Sequence, residues 1–191
     1  MKSLKGTKTE RILLTAFAGE SQARNRYTYA AGVAVKEGYE QIAAVFLETA
    51  DNEKEHAQRF YRFLEGGMVE INGTYPAGVI TSTDNNLRDA AAGEHLEWTM
   101  LYVDAASIAR EEGFPEVATQ FDRIAEVENQ HEKRYLNLLQ NLEEKQVFRR
   151  SVSVEWKCRN CGYHHFGEEA PKSCPACAHP QAYFELFVPT Y

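Results

Sequence analysis

The sequence predicts a mainly α protein: a four-helix bundle with a long crossover between helices two and three, followed by a small C-terminal β module. Three observations lead there. Apolar residues recur at helical spacing through most of the chain, and that pattern is used twice as an internal repeat. All four cysteines fall in the last forty residues, where the pattern changes.

Residues 37–60 (EGYEQIAAVFLETADNEKEHAQRF) align with residues 112–135 (EGFPEVATQFDRIAEVENQHEKRY) at an offset of 75. The matches include Phe46 with Phe121, Ala50 with Ala125, Glu53 with Glu128, His56 with His131 and Arg59 with Arg134. Upstream, Ala18-Gly19-Glu20 matches Ala92-Gly93-Glu94 at an offset of 74. The change of one residue implies turns of different length between the helices of each half. Each half is an αα-hairpin.

The first helix follows Thr7-Lys8-Thr9-Glu10, a capping-box pattern, and carries Leu13, Ala16, Glu20, Ala23 and Tyr27 along one seam. After a turn at Gly38, the second places Ile42, Phe46, Thr49, Glu53, His56, Phe60 and Phe63 in alternating steps of four and three, and Gly66-Gly67 ends it. A connection through Gly73, Pro76 and Gly78 then runs to about Asp84. It is long enough to travel the length of the bundle and set the third helix parallel to the second. The third gives Leu87, Ala90, Glu94, Glu97 and Leu101. After Gly113 the fourth gives Val117, Phe121, Ile124, Glu128, His131, Tyr135, Leu138 and Leu142. Beyond Arg150 come Val152, Val154 and Trp156, the cysteines, then Tyr183, Phe184 and Leu186, which is short-strand material. The expected domains are 1–150 and 151–191.

A net charge of −7 disfavours a nucleic-acid partner, which needs a basic face. No apolar run is long enough to span a bilayer, and the polar start through Glu10 lacks a signal-peptide core. A cytoplasmic location is expected. Cys158-x-x-Cys161 and Cys174-x-x-Cys177 then read as a metal site rather than as disulfides.

The glutamates carry the chemistry. Glu20, Glu53, Glu94, Glu97 and Glu128, with His56 and His131, all occupy seam positions among Phe, Ile, Leu and Ala. An ionised carboxylate buried there costs several kcal/mol, on the order given for buried ions, and five together repel one another. Bound cations answer both problems. Glu and His three apart on a helix point the same way, so one can bridge two metals while the other caps one. A single Glu-x-x-His occurs often on solvated faces; two in register within a repeat, both on the seam, do not. Two such pairs plus one glutamate from each remaining helix match the ligand pattern of di-iron and di-manganese carboxylate bundles. Carboxylate-rich sites with some imidazole suit iron or manganese. Glu97 is matched by Ala23 and breaks the symmetry. Tyr27 and Tyr102 lie at the same depth, where they can hydrogen-bond ligand carboxylates or only pack. Four thiolates on two knuckles suit a tetrahedral iron or zinc. Iron is preferred because the neighbouring site needs an electron source; zinc is the alternative.

The chain resembles the rubrerythrins over essentially its whole length, on Glu20, Glu53-Lys54-Glu55-His56, Glu94 with Glu97, Glu128-Asn129-Gln130-His131, and the CRNCG and CPACAHP motifs. The resemblance implies a ferritin-like di-iron bundle joined to a rubredoxin-like domain with one iron on four cysteines, reducing hydrogen peroxide to water in oxidative-stress defence. It implies an iron pair, oxo- or hydroxo-bridged when oxidised, bridged by Glu53 and Glu128. Glu20 and Glu94 would be terminal ligands and His131 would cap one iron. His56 and Glu97 would exchange on the other as its redox state changes. Glu97, His56, Tyr27 and Tyr102 are the candidate catalytic residues. It further implies a head-to-tail homodimer and electrons from NAD(P)H through a separate reductase or a rubredoxin. The alternatives are an iron-oxidising ferritin-like protein, an O2-reducing oxidase, or a structural bundle with a zinc-ribbon interaction module.

Overall fold

The structure, a computed structural model, describes residues 2–190. The expected domain spans end on Met1 and Tyr191, which lie outside the described residues. Helix α1 (Lys8–Glu37) and α2 (Glu40–Tyr61) form one antiparallel hairpin. The second hairpin pairs a rod made of α3 (Thr83–Leu96), a π-helical turn (Glu97–Leu101) and α4 (Tyr102–Glu111) with α5 (Pro115–Glu143).

The start of α1 and the two hairpin turns are closed by local hydrogen bonds. Thr7 Oγ1 accepts from the Glu10 backbone N–H at 3.1 Å, and the Glu10 carboxylate reaches past the cap to Gly6 N at 2.7 Å. Both hairpin turns use a glycine in the left-handed region, Gly38 at φ 84° and Gly113 at φ 78°. The turns are superimposable in their bonding: Tyr39 N donates to Ala34 O and Phe114 N to Ala109 O, both at 2.8 Å. They therefore have equal length, and the one-residue offset does not arise there.

It arises in the π turn. Glu20 and Glu94 match at 74, but Tyr27 and Tyr102 match at 75, so the extra residue lies between Glu94 and Tyr102. A π turn takes up one residue without breaking the helix and rotates the residues beyond it. The expected seam residue Leu101 is consequently 47% exposed, and Tyr102, Ala105, Ala106 and Ala109 face the core instead. The second helix also ends earlier than its glycines suggest, at Tyr61. The chain turns back there so that Phe63 and Leu64 pack against the core cluster that includes Leu4, and Glu65 accepts from Leu4 N and Ser3 Oγ, each at 2.7 Å.

Tyr27 of α1 touches Glu94, while Glu20, two turns earlier, touches Tyr102. This crossed pairing makes α1 antiparallel to the third rod and hence sets the third rod parallel to α2. Two apolar clusters lie on either side of this level. One centres on Tyr27, Phe46, Leu87 and Tyr135, the other on Leu13, Phe60, Tyr102 and Phe121.

The C-terminal module is a three-stranded antiparallel sheet in the order β2-β1-β3, with β1 at Arg149–Cys158, β2 at His164–Glu169 and β3 at Phe184–Leu186. Trp156 and Phe184 are fully buried beneath the cysteines, and the Trp156 indole donates to Gly167 O at 2.9 Å. Tyr39 stacks on Phe148 at 6.1 Å between ring centroids, tying the module's approach to the first hairpin turn.

Candidate metal centres

The two helical repeats bring four carboxylates and two imidazoles to one level of the bundle. Glu20, Glu53, Glu94 and Glu128 are each at most 1% exposed, and His56 and His131 are also buried. Two sets of side chains each bring four ligand atoms within 4.8 Å of one another: Glu20, Glu53, His56 and Glu128, and Glu53, Glu94, Glu128 and His131. Glu53 and Glu128 belong to both. His56 Nδ1 lies 2.9 Å from Glu53 and 2.8 Å from Glu128; His131 Nδ1 lies 2.7 Å from Glu128 and 3.2 Å from Glu53. Each carboxylate in the shared pair thus turns one oxygen to each side.

Six buried atoms converge there without a hydrogen-bond partner: Glu20 Oε2, Glu53 Oε1, Glu94 Oε2, both Glu128 oxygens and His131 Nδ1. Orphaned buried acceptors are costly, and this many sharing one gap is the signature of a cation site. Without cations, protons do the work. Burial pushes the Glu20 and Glu94 carboxyls well above the usual range, with the Glu53 and Glu128 charges adding to it. Burial also works against charged imidazoles, but the Glu128 and Glu53 carboxylates outweigh it and lift His56 to about 10 and His131 to about 9. Glu53 feels the same burial, but the two histidines facing it, at 2.9 and 3.2 Å, hold it at about 2.

Around this cluster the outer contacts are part symmetric, part not. The Tyr27 hydroxyl donates to Glu94 Oε1 at 2.5 Å, and the Tyr102 hydroxyl donates to Glu20 Oε1. His131 Nε2 sits 3.2 Å from Asn52 Oδ1, which directs Nδ1 into the cluster. The seam pattern does not single out Asn52, although its repeat counterpart, the apolar Val127, marks it as an asymmetric position. Glu97 stands apart from both four-atom sets. It opens the π turn, is half-buried, and faces a cavity that it shares with Arg26 and Tyr102.

The cysteines form the second centre. Cys158 and Cys177 sulfurs are 3.8 Å apart and Cys161 and Cys174 sulfurs 3.6 Å. A tetrahedron with metal–sulfur bonds of about 2.3 Å has sulfurs about 3.8 Å apart, whereas a disulfide would bring a pair to about 2 Å. Each knuckle closes the same way, Gly162 N donating to Cys158 O at 2.9 Å and Ala178 N to Cys174 O at 2.8 Å. The backbone N–H of His179 is the main influence lowering the Cys177 thiol, to about 6, whereas at Cys161 the Tyr163 N–H is outweighed by the neighbouring sulfurs, which push the thiol up to about 12.

Fold and site together define a ferritin-like carboxylate metalloprotein fused to a rubredoxin-like domain. The family model described as Rubrerythrin matches residues 11–139, and that of the rubrerythrin rubredoxin-like domain matches residues 156–185. A rubrerythrin of Porphyromonas gingivalis is 62% identical over 190 residues, covering 100% of this chain and 95% of the relative. One from Nitratidesulfovibrio vulgaris is 57% identical over 97% of each chain. The solved structure of fully reduced, all-ferrous nigerythrin superposes with a TM-score of 0.64 at 30% identity, covering 97% of this chain and 92% of its own. The chain belongs to the rubrerythrin family. Its carboxylate and histidine clusters fit a di-iron site, and its four cysteines fit a single iron. Among the described residues no helix is long and apolar enough to cross a membrane.

Proposed function

We propose that this protein is a cytoplasmic peroxidase that reduces hydrogen peroxide to water. The observation that carries the reading is the sharing of Glu53 and Glu128 between two ligand sets in a chain that also holds a four-cysteine site. Two ferrous ions bound side by side would supply together the two electrons that one peroxide takes up. The iron on the cysteines would return electrons singly, drawn from NAD(P)H through a separate reductase or a rubredoxin.

In this reading Glu53 and Glu128 would hold both irons, Glu20 and Glu94 would be terminal ligands, and His131 would hold one iron. His56 and Glu97 would serve in turn as ligands to the other. Two features support the alternation. His131 is held by Asn52, whose repeat counterpart Val127 has no acceptor to offer His56. Glu97 lies outside the four-atom sets, on a π turn, with open space beside it. Tyr27 and Tyr102 fix the terminal carboxylates by donating to Glu94 and Glu20. A head-to-tail homodimer would place each rubredoxin-like domain against the partner's bundle.

The test is metal analysis and rapid mixing on anaerobically purified protein. The expectation is about three irons per chain, two on the carboxylates and one on the thiolates. The reduced protein should reoxidise faster with hydrogen peroxide than with O2. The opposite order of rates defeats the peroxidase reading.

A further inference from the structure

A cavity of about 340 Å³ lies between α1 and the third rod, roofed by Tyr75 and Pro76 of the crossover. Its surface is mainly apolar, with Ile12, Ala16, Leu101 and Ile108 on the walls; Glu97 and Tyr102 lie where it meets the metal cluster, and Gln22, Arg26 and Asp104 add polar groups to the lining. The Tyr75 hydroxyl donates to Thr15 O at 3.0 Å and fixes the roof. Two matched glycines, Gly19 and Gly93, face this space from opposite rods. Glycine weakens a helix interior, and neither position is forced by contact. A methyl at Gly19 would meet only Tyr75 at 3.7 Å, and one at Gly93 only Arg26 at 4.0 Å. The glycines leave room rather than relieve crowding.

That room is far larger than hydrogen peroxide needs. A water takes about 30 Å³ of liquid volume, and peroxide roughly twice that. The apolar part of the wall, moreover, adds nothing to the binding of so small and polar a molecule. A space in the size range of small-molecule sites, mainly apolar in its surface and polar where it meets the metal cluster, fits an apolar body carrying a polar reactive head.

We infer that this cavity binds organic hydroperoxides, with the alkyl or aryl group against the apolar walls and the O–O group at Glu97 and Tyr102. The inference rests on the peroxidase reading and extends its substrate class. The reaction is ROOH + 2 e⁻ + 2 H⁺ → ROH + H2O. The O–O bond breaks, the oxygen attached to carbon leaves as the alcohol, and the outer oxygen leaves as water. The two electrons come from the reduced iron pair and the protons from solvent.

The test uses the iron-loaded full chain. Binding of 2-phenylpropan-2-ol, the redox-inert alcohol product of cumene hydroperoxide, is measured calorimetrically on the oxidised protein. Single-turnover reoxidation of the reduced protein is followed with cumene hydroperoxide and with hydrogen peroxide. The variants are Gly19→Leu, which fills the cavity, and Leu101→Trp, placed at its half-exposed rim in case the first does not fold. Saturable binding is expected, weakened about tenfold or more in each folded variant, and the cumene-to-hydrogen peroxide rate ratio should fall similarly. Absence of saturable binding, or a rate ratio unmoved by variants that abolish binding, overturns the inference. If hydrogen peroxide reoxidises the protein faster than O2 does but cumene hydroperoxide does not, only this inference fails. If neither peroxide outpaces O2, the peroxidase reading fails and the substrate assignment goes with it, whatever the alcohol does.

Discussion

Tyr27 of α1 donates its hydroxyl hydrogen to Glu94 of α3 at 2.5 Å, across the pseudo-twofold axis from the same bond between Tyr102 and Glu20. The two bonds cross-link α1 to the third rod at the level of the metal cluster. The cavity lies between these two rods, so the two bonds join them across its inner side. Each tyrosine leaves the carboxylate's other oxygen, Glu20 Oε2 or Glu94 Oε2, buried and turned inward.

Replacing Tyr27 with Phe should therefore loosen the Glu94 side selectively, and Tyr102→Phe the Glu20 side. Outer contacts to metal ligands are worth roughly 10–100-fold in affinity. Chelator competition against the iron-loaded protein should show a loss in that range at one iron in each single variant, and at both in the double. Equal effects on both irons from one substitution would show that the bonds do not act locally.

Asn52 predicts an asymmetry of a different kind. Its side-chain oxygen, 3.2 Å from His131 Nε2, fixes the ring so that Nδ1 faces Glu128 and Glu53. Asn52→Leu removes that acceptor and should weaken the iron capped by His131 by about tenfold or more. Rescue by Asn52→Asp, which restores an acceptor, separates orientation of the ring from simple packing.

How much of the site is legible in the sequence differs by residue. Glu53, His56, Glu128 and His131 announce themselves because helical spacing alone puts residues three apart on one face, and the repeat duplicates them. Cys158, Cys161, Cys174 and Cys177 do so because a knuckle is local in sequence. Asn52 does not, because its partner is 79 residues away and its meaning depends on which nitrogen of His131 faces it. The π turn is visible only as a change of offset between Glu94 and Tyr102, and the offset does not say that a helix absorbs the extra residue without breaking. The natural guess, the turn, fails because Gly38 and Gly113 build identical caps.

A further long-range pair is hidden for the same reason. Glu112, at the end of α4, accepts from Thr9 N at 2.8 Å and Thr9 Oγ1 at 2.7 Å, capping the start of α1; its repeat counterpart Glu37 accepts from Thr83 N at 3.0 Å and caps α3. The Thr9 hydroxyl and backbone hold the Glu112 carboxyl below its usual range. A carboxylate depressed on folding contributes stability that is fully present above its unfolded value and lost as pH falls through the folded one. Melting temperatures of wild type and Glu112→Gln should therefore differ at pH 7 and converge by about pH 3. A gap that widens on acidification contradicts the assignment.

The π turn yields the last prediction. Its extra residue is accommodated between Glu97 and Leu101, where Thr99 is exposed and hydrogen-bonds only its own helix, to His95 O at 2.5 Å. Deleting Thr99 removes the residue that the π turn exists to absorb. The rod can then close as a continuous α-helix, with Glu94 and Tyr102 standing at one common offset from Glu20 and Tyr27. Tyr102, Ala105 and Ala109 keep their core face, and far-UV circular dichroism should be unchanged. Glu97, however, takes the regular helical position equivalent to Ala23, losing the backbone geometry that sets it beside the cavity. On the peroxidase reading, the deletion should retain iron on the shared Glu53 and Glu128 pair while slowing reoxidation by hydrogen peroxide at least about tenfold. A folded, iron-loaded deletion variant that reacts at the wild-type rate would show that the π turn is a packing adjustment with no part in positioning Glu97.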